Sequence, residues 1–181
     1  NNFSGYIRMA LLHASKYVMA NSLAGLKANK LNRGFVLYNG IADHFFVNSS
    51  NGEHNPVAVL ISIGHLTKVK NYPTILKALS ILKDKNVDFI HKIYGDGPER
   101  RDLEKQIEQL GLSGRVELMG NVPNLHQELK KADIQVHASL GEGCCNAILE
   151  SMAAGLPVVV SNVGGNPEIV HPSFALLFES E

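Results

Sequence analysis

Tryptophan is absent from the 181 residues, and cysteine occurs only as the adjacent pair Cys144-Cys145. Two neighbouring thiols cannot make a disulfide framework, so the composition fits a reducing compartment. Charge of one sign is missing too: Lys plus Arg number 17 and Asp plus Glu 17, a formal net charge of zero. A nucleic-acid-binding arm and a polybasic membrane anchor both need clustered positive charge, so neither is expected; a local basic pocket for one phosphate group stays compatible. No apolar run approaches the roughly 18–20 residues of a membrane span. The longest, Pro56–Ile63, is the size of a strand. The first residues lack the basic start, apolar middle and small-residue cleavage site of a secretory signal. What is present is an apolar fraction of 45 %, enough to fill a core and to exclude disorder as the main state. With a length of about one domain, the expectation is a soluble, cytoplasmic-type globular unit.

From residue 57 onward two kinds of segment alternate. Short, nearly continuous apolar runs read as strands covered on both faces: Val57–Ile63, Asp88–Tyr94, Arg115–Met119, Ile134–Ala138, Pro157–Ser161 and Phe174–Phe178. Between them lie helix-patterned stretches. Tyr72–Lys83 puts Ile75, Leu79 and Leu82 on one face. Pro98–Leu110 opens with proline at the first helical position and stops before Gly111. Leu125–Lys131 has Asn124 as a cap, Asn146–Ala154 has Asn146 as its N-cap and stops at Gly155, and a last short helix spans Pro167–Val170. Strand and helix in alternation predict an α/β fold with a Rossmann-like, doubly wound parallel sheet of six strands. Right-handed crossovers gather the strand-to-helix loops along one edge, where such sheets bind ligands. The first fifty residues differ: Lys16–Asn21 and Gly34–Tyr38 read as strands, Ser22–Asn29 as a short helix, and residues 43–56 as a polar linker. Residues 1–33 are expected to be the remnant of a preceding unit.

The loops carry the chemistry. Gly64-His65-Leu66-Thr67-Lys68-Val69-Lys70-Asn71 joins a strand to a helix; glycine lets backbone approach a ligand and lysine can neutralise a diphosphate, although a solvated loop is the plainer alternative. Gly95-Asp96-Gly97-Pro98 lacks the G-x-G-x-x-G spacing and suits a tight turn equally. No P-loop and no G-x-S-x-G elbow occurs. In SLGEGCCNAILE, Ser139–Glu150, two glutamates eight apart flank a helix start. The amides of Cys145, Asn146 and Ala147 are free donors there for an anion, and carboxylates accept from vicinal diols. Glu142 closing a loop and Glu150 facing solvent is the competing reading. Adjacent thiols without a second pair at ligand spacing make a poor zinc site, so no metal is expected, and His137 inside a strand reads as a satisfied core or edge histidine.

Together these loops resemble the C-terminal, nucleotide-sugar-binding domain of a retaining glycosyltransferase of GT-B fold, in the GT4-like family of glycosyl transferases group 1. Asn39-Gly40-Ile41-Ala42 with Phe45 or Phe46 is similar to the family's N-G-[IV]-D…F segment. Gly64-His65-Leu66…Lys70-Asn71 resembles G-R-L-x-x-x-K-[GN]; Gly95-Asp96-Gly97-Pro98 and Val116–Gly120 resemble G-[DE]-G-P and V-x-[FL]-x-G. The block Glu142–Val170 carries the E-x7-E spacing, the A-x-G-x-P-V-V run and the G-G-x-x-E ending at Glu168.

The resemblance implies a donor site and a transfer reaction that needs no metal or other cofactor, with a UDP- or GDP-sugar as substrate. Lys70 and Glu142 would be the catalytic pair: Lys70 on the diphosphate, stabilising the leaving nucleotide, and Glu142 on hydroxyls of the donor sugar. Glu150 would bind the ribose. Gly64, His65, Gly95, Gly97 and the main chain of Gly143, Cys144, Cys145 and Asn146 would line the donor site, and Met119, Gly120 and Val122 the base pocket. Where the family has Arg and Asp, this sequence has His65 and Ala42. Division at residue 50 is implied, into the tail of an acceptor domain with its linker (1–50) and a donor domain (51–181) truncated at its C-terminus. The fragment alone would be inactive. The acceptor, a glycan or lipid-linked glycan, would be held by the missing half, at the cytoplasmic face of a membrane where association is peripheral. A nucleotide-sugar epimerase and a degenerate, non-catalytic nucleotide-sugar-binding domain are the alternatives.

Overall fold

A computed structural model describes residues 3–46 and 57–179. Six strands form one sheet: β3 (Ala58–Ile63), β4 (Phe89–Tyr94), β5 (Val116–Gly120), β6 (Ile134–His137), β7 (Val158–Ser161) and β8 (Ala175–Phe178). Their order is β5-β4-β3-β6-β7-β8, and every neighbouring pair is parallel. This is the doubly wound arrangement expected from the alternation of runs. The chain reverses its direction of travel across the sheet between β3 and β6, and the crevice at such a switch point is where open α/β sheets take ligands.

Both faces are filled. On one, Ile75, Leu76 and Leu79 of α3 (Tyr72–Asp84) and Leu103 and Ile107 of α4 (Arg100–Gln109) pack with Phe89, Ile93 and Val116 of the sheet. On the other, Leu129 of α5 (Leu125–Leu129), together with Ala154 and Leu156 beyond α6 (Asn146–Ala153), covers Ile61 and Tyr94. Ile148 of α6 packs on Val158 and Val160. A short α7 (Asn166–Ile169) precedes β8.

Several element boundaries differ from the expectation. α4 begins at Arg100, not at Pro98, because residues 98–99 turn and Glu99 N bonds Leu66 O at 3.0 Å. Asn146 is the first helical residue of α6 and Cys145 stands at the cap, since Asn146 spends its side-chain oxygen on Asn39 instead. Asn124 occupies the cap of α5 but makes no side-chain capping bond.

The amino-terminal segment holds a helix that the pattern did not suggest, α1 (Phe3–Ala14), which leaves Tyr6, Ile7 and Leu11 exposed. Residues 16–38 form a parallel unit of β1 (Met19–Ala20), α2 (Leu23–Ala28) and β2 (Phe35–Val36); the strands are two residues each, shorter than the runs that contain them. The expected polar linker begins with a 3-10 turn, Asp43–Phe45, and its residues 47–56, with the boundary at residue 50, lie outside the described residues.

Candidate active site

Three glycines bring the strand ends close enough to build a cleft. Gly64 N donates to Tyr94 O at 2.9 Å and Gly95 N to Gly120 O at 2.8 Å. A Cβ on Gly95, whose φ is +128°, would stand 2.1 Å from Gly64 O, so no other residue fits there. The cleft they border is lined by Gly64, His65, Gly95, Gly120 and Val122, all expected, and by Tyr94 and Leu125, which were not. Met119 and Gly97 are not among its lining residues. Met119 projects outward, and Gly97 serves packing, with its Cα against the Leu66 backbone.

On the other side of the switch point, the loop after β3 and the loop after β6 are joined by Leu140 N donating to Val69 O at 2.8 Å. Their side chains converge on one carboxylate oxygen. Glu142 Oε1 accepts from Lys70 Nζ in an ion pair, from Ser139 Oγ at 2.6 Å, and lies 2.9 Å from His137 Nε2. His137 Nε2 also meets Ser139 Oγ at 3.0 Å and Cys145 Sγ at 3.5 Å. Burial pushes the Glu142 carboxyl up, but bonds from His137, Lys70 and Ser139 outweigh it and hold the group at about 2. Glu142 is therefore a fixed anion at neutral pH, while burial of His137 is opposed by its bonds to Cys145 and Glu142, which leave its pKa raised.

Lys70 and Glu142 are thus brought together as expected; His137 and Ser139 were missed as part of the same cluster. The signal was available: they stand two apart at a strand's end, a spacing that puts both on one face. Glu150 lies one turn into α6, half-buried, with no hydrogen-bond donor among the described residues. Burial raises its pKa against the opposing field of His44 from the 3-10 turn. No hydrogen bond links Glu150 to Glu142. In α6 the first intrahelical bond is Leu149 N to Cys145 O, so the amides of Asn146, Ala147 and Ile148 precede the ladder.

The loop that carries Glu142 and Gly143 is clamped from outside. A Cβ on Gly164 would lie 2.0 Å from Glu142 O, and one on Gly165 would lie 1.8 Å from Gly143 O. Asn39 Nδ2 donates to Cys144 O at 3.2 Å and to Asn146 Oδ1 at 2.6 Å. Glu168 accepts from the amides of Leu23 and Ala24, both at 2.7 Å, and from Tyr38 Oη at 3.1 Å. The motif residues Asn39, Gly164, Gly165 and Glu168 therefore hold the loops in place.

A six-stranded parallel sheet in this order, with lysine and glutamate paired at its switch point, defines a Rossmann-like domain of the GT-B glycosyltransferase kind. The profile of Glycosyl transferases group 1 matches residues 43–181, and the chain belongs to that family. Among curated relatives it is 32 % identical over 114 residues to the GPI3 subunit of phosphatidylinositol N-acetylglucosaminyltransferase of Saccharomyces cerevisiae, covering 62 % of this chain and 25 % of that one. It is 35 % identical over 149 residues to the glycosyltransferase MJ1607 of Methanocaldococcus jannaschii, covering 75 % of this chain and 38 % of the relative. The chain thus spans a quarter to two fifths of the length of these relatives. Among solved structures, Anabaena HepE in complex with UDP superposes with a TM-score of 0.80 at 24 % identity, over 94 % of this chain and 51 % of that one, a likeness of fold. No helix among the described residues is long and apolar enough to cross a membrane.

Proposed function

We propose that this chain is the donor-binding part of a retaining glycosyltransferase that moves a hexose from a UDP- or GDP-sugar to a glycan or lipid-linked acceptor. The observation that carries the proposal is the Glu142 carboxylate, fixed through Oε1 by Lys70, Ser139 and His137 at the sheet's switch point. Its second oxygen carries no hydrogen bond from another described residue and can accept from a sugar hydroxyl. Lys70, on its flexible stem, is within the same cluster to meet the diphosphate and offset the negative charge that grows on the departing nucleotide. Glu150, half-buried without a donor, suits the ribose diol, and the free amides opening α6 suit phosphate oxygens. These residues position and neutralise; none serves as a metal ligand in this reading.

Residues 1–50 are read as the tail of an acceptor-binding domain with its linker. Support comes from the parallel β1-α2-β2 unit, whose Tyr17, Met19, Phe35 and Leu37 are all exposed. The acceptor would lie between the two halves, and transfer would need both. We place the protein in the cytoplasm, at or near a membrane face.

Calorimetric titration of UDP, GDP and their hexose conjugates into the chain tests this reading. One nucleotide series should bind, and Glu150→Ala should weaken it about tenfold, the value of a hydrogen bond to a charged group. Glu142→Gln should weaken the sugar conjugate while leaving the free diphosphate nearly unchanged. Absence of binding by every nucleotide would overturn the proposal, and conversion of the bound sugar to an epimer would point to an epimerase.

A further inference from the structure

The cluster around Glu142 has a composition that the transfer reaction does not require. His137 Nε2, Glu142 Oε1 and Cys145 Sγ are contributed by a strand end, a loop and a helix cap, and all three atoms lie within 4.8 Å of one another. Two of the edges, 2.9 Å from nitrogen to oxygen and 3.5 Å from nitrogen to sulfur, are close to those of a tetrahedron, and the oxygen-to-sulfur edge lies within 4.8 Å. In such a site a zinc ion sits about 2.0 Å from nitrogen and oxygen and about 2.3 Å from sulfur. His137 and Cys145 are nearly fully buried, at 4 % and 5 % exposure, so their ligand atoms are held by packing rather than by chance at a surface. Imidazole, thiolate and carboxylate together select zinc or cobalt(II) over magnesium or calcium, which take oxygen ligands.

We infer that His137, Glu142 and Cys145 form a binding site for Zn2+, and that the ion antagonises the donor sugar by occupying Glu142. The second clause rests on the function proposed above. Binding releases the Cys145 thiol proton to solvent and displaces any proton from His137 Nε2, leaving the ring neutral with its one proton on Nδ1, and the thiolate and carboxylate together balance the two positive charges of the ion. Lys70 shares Glu142 Oε1 and cannot share it with a dication, so its ammonium swings off the carboxylate; the side chain is 22 % exposed and free to do so. Ser139 Oγ stays beside the ligands, and a water completes the fourth position. Cys144 differs: no bond joins its thiol to His137 or Glu142, and its main-chain oxygen is held by Asn39.

The test is titration of the reduced chain with Co2+, followed by optical absorption. One equivalent should bind with the intense visible bands of a four-coordinate site and a thiolate-to-cobalt charge-transfer band, and Zn2+ should bleach both. Cys145→Ser should abolish the charge-transfer band, whereas Cys144→Ser should keep it. His137→Asn should lower Zn2+ affinity by at least roughly 100-fold, the upper end of what losing even an outer-shell partner costs. Circular dichroism confirms that each variant is folded. No cobalt spectrum, or a charge-transfer band lost in Cys144→Ser and kept in Cys145→Ser, overturns the site. With the spectrum in place, Zn2+ should weaken a UDP-hexose more than UDP; equal effects on both overturn the antagonism. A chain that binds cobalt but no nucleotide refutes the donor reading and leaves the metal site standing, so the two failures are separable.

Discussion

His91 is a fully buried ring in the middle of β4, and its surroundings fix its proton. Ser62 Oγ donates to Val136 O at 2.7 Å and lies 3.0 Å from His91 Nε2. Because the hydroxyl has spent its one hydrogen, Nε2 carries the ring proton and donates, and Nδ1 is left as a buried acceptor with no partner. A second proton would charge the ring inside hydrocarbon, and burial drives its pKa down to about 3 from an ordinary 6.5. The unfolded chain therefore binds more protons than the folded one between those values. The stability tied to His91 is present above pH 6.5 and drains away as pH falls toward 3. Wild type should show a urea midpoint that declines between pH 7 and pH 4. His91→Leu fills the site with apolar atoms and leaves the Ser62–Val136 bond in place, so its midpoint should decline less over the same interval. Parallel curves for the two proteins would show that acid sensitivity originates elsewhere.

At the scale of elements, glycine pairs set the distance between loops. Gly165 has an ordinary φ of −88°, so alanine meets no backbone strain there. The obstacle is contact alone, 1.8 Å to Gly143 O and 2.8 Å to Ser22 Cβ. Gly165→Ala should therefore push the Glu142 loop and α2 away from α7, at the roughly 1–3 kcal/mol typical of overpacking. Gly141→Ala, with nothing within 4 Å of its added Cβ, should be near neutral. Thermal melts of the two variants decide the point, and equal melting temperatures would refute the account. The same contacts explain what was legible beforehand. Six strands announced themselves as apolar runs, since both faces of a parallel sheet are covered and period-two polarity disappears. The loops declared Lys70 and Glu142 by motif. Their partners did not: Glu168 and Leu23 are 145 residues apart, and nothing local in either marks the other. α1 was hidden for a related reason. Three of its larger residues, Tyr6, Ile7 and Leu11, are exposed while Leu12 packs against the Val18, Leu26 and Leu31 cluster, so its apolar positions do not form a single core-facing stripe. His137 is the buried, hydrogen-bonded histidine expected inside a strand, but its partner was not foreseen, because only the turn after β6 brings Glu142 back onto it.

Across the whole molecule, one carboxylate ties the amino-terminal segment to the six-stranded domain. Glu168 meets two adjacent amides at the start of α2, where the helix end favours an anion, and Tyr38 Oη as a third donor. Burial raises its pKa but the Ala24 and Leu23 amides and Tyr38 outweigh that, and the net shift is downward. The clamp is thus complete above the ordinary carboxylate range and is lost as pH falls through the lowered value. α2 has only six residues, too few to stand alone, and Leu26 and Val18 form a core of three buried residues with Leu31. Such a unit keeps its place by docking. Glu168→Gln keeps shape and removes charge, so hydrogen exchange of amides in residues 19–36 should quicken by about tenfold, one charge-assisted bond's worth. Amides of β3, β4 and β6 should exchange at wild-type rates, because that core does not include the clamp. Acceleration throughout the sheet would mean that the two parts unfold as one; no acceleration in α2 would mean that Asn39 and the close contact of Ser22 with Gly165 suffice without Glu168.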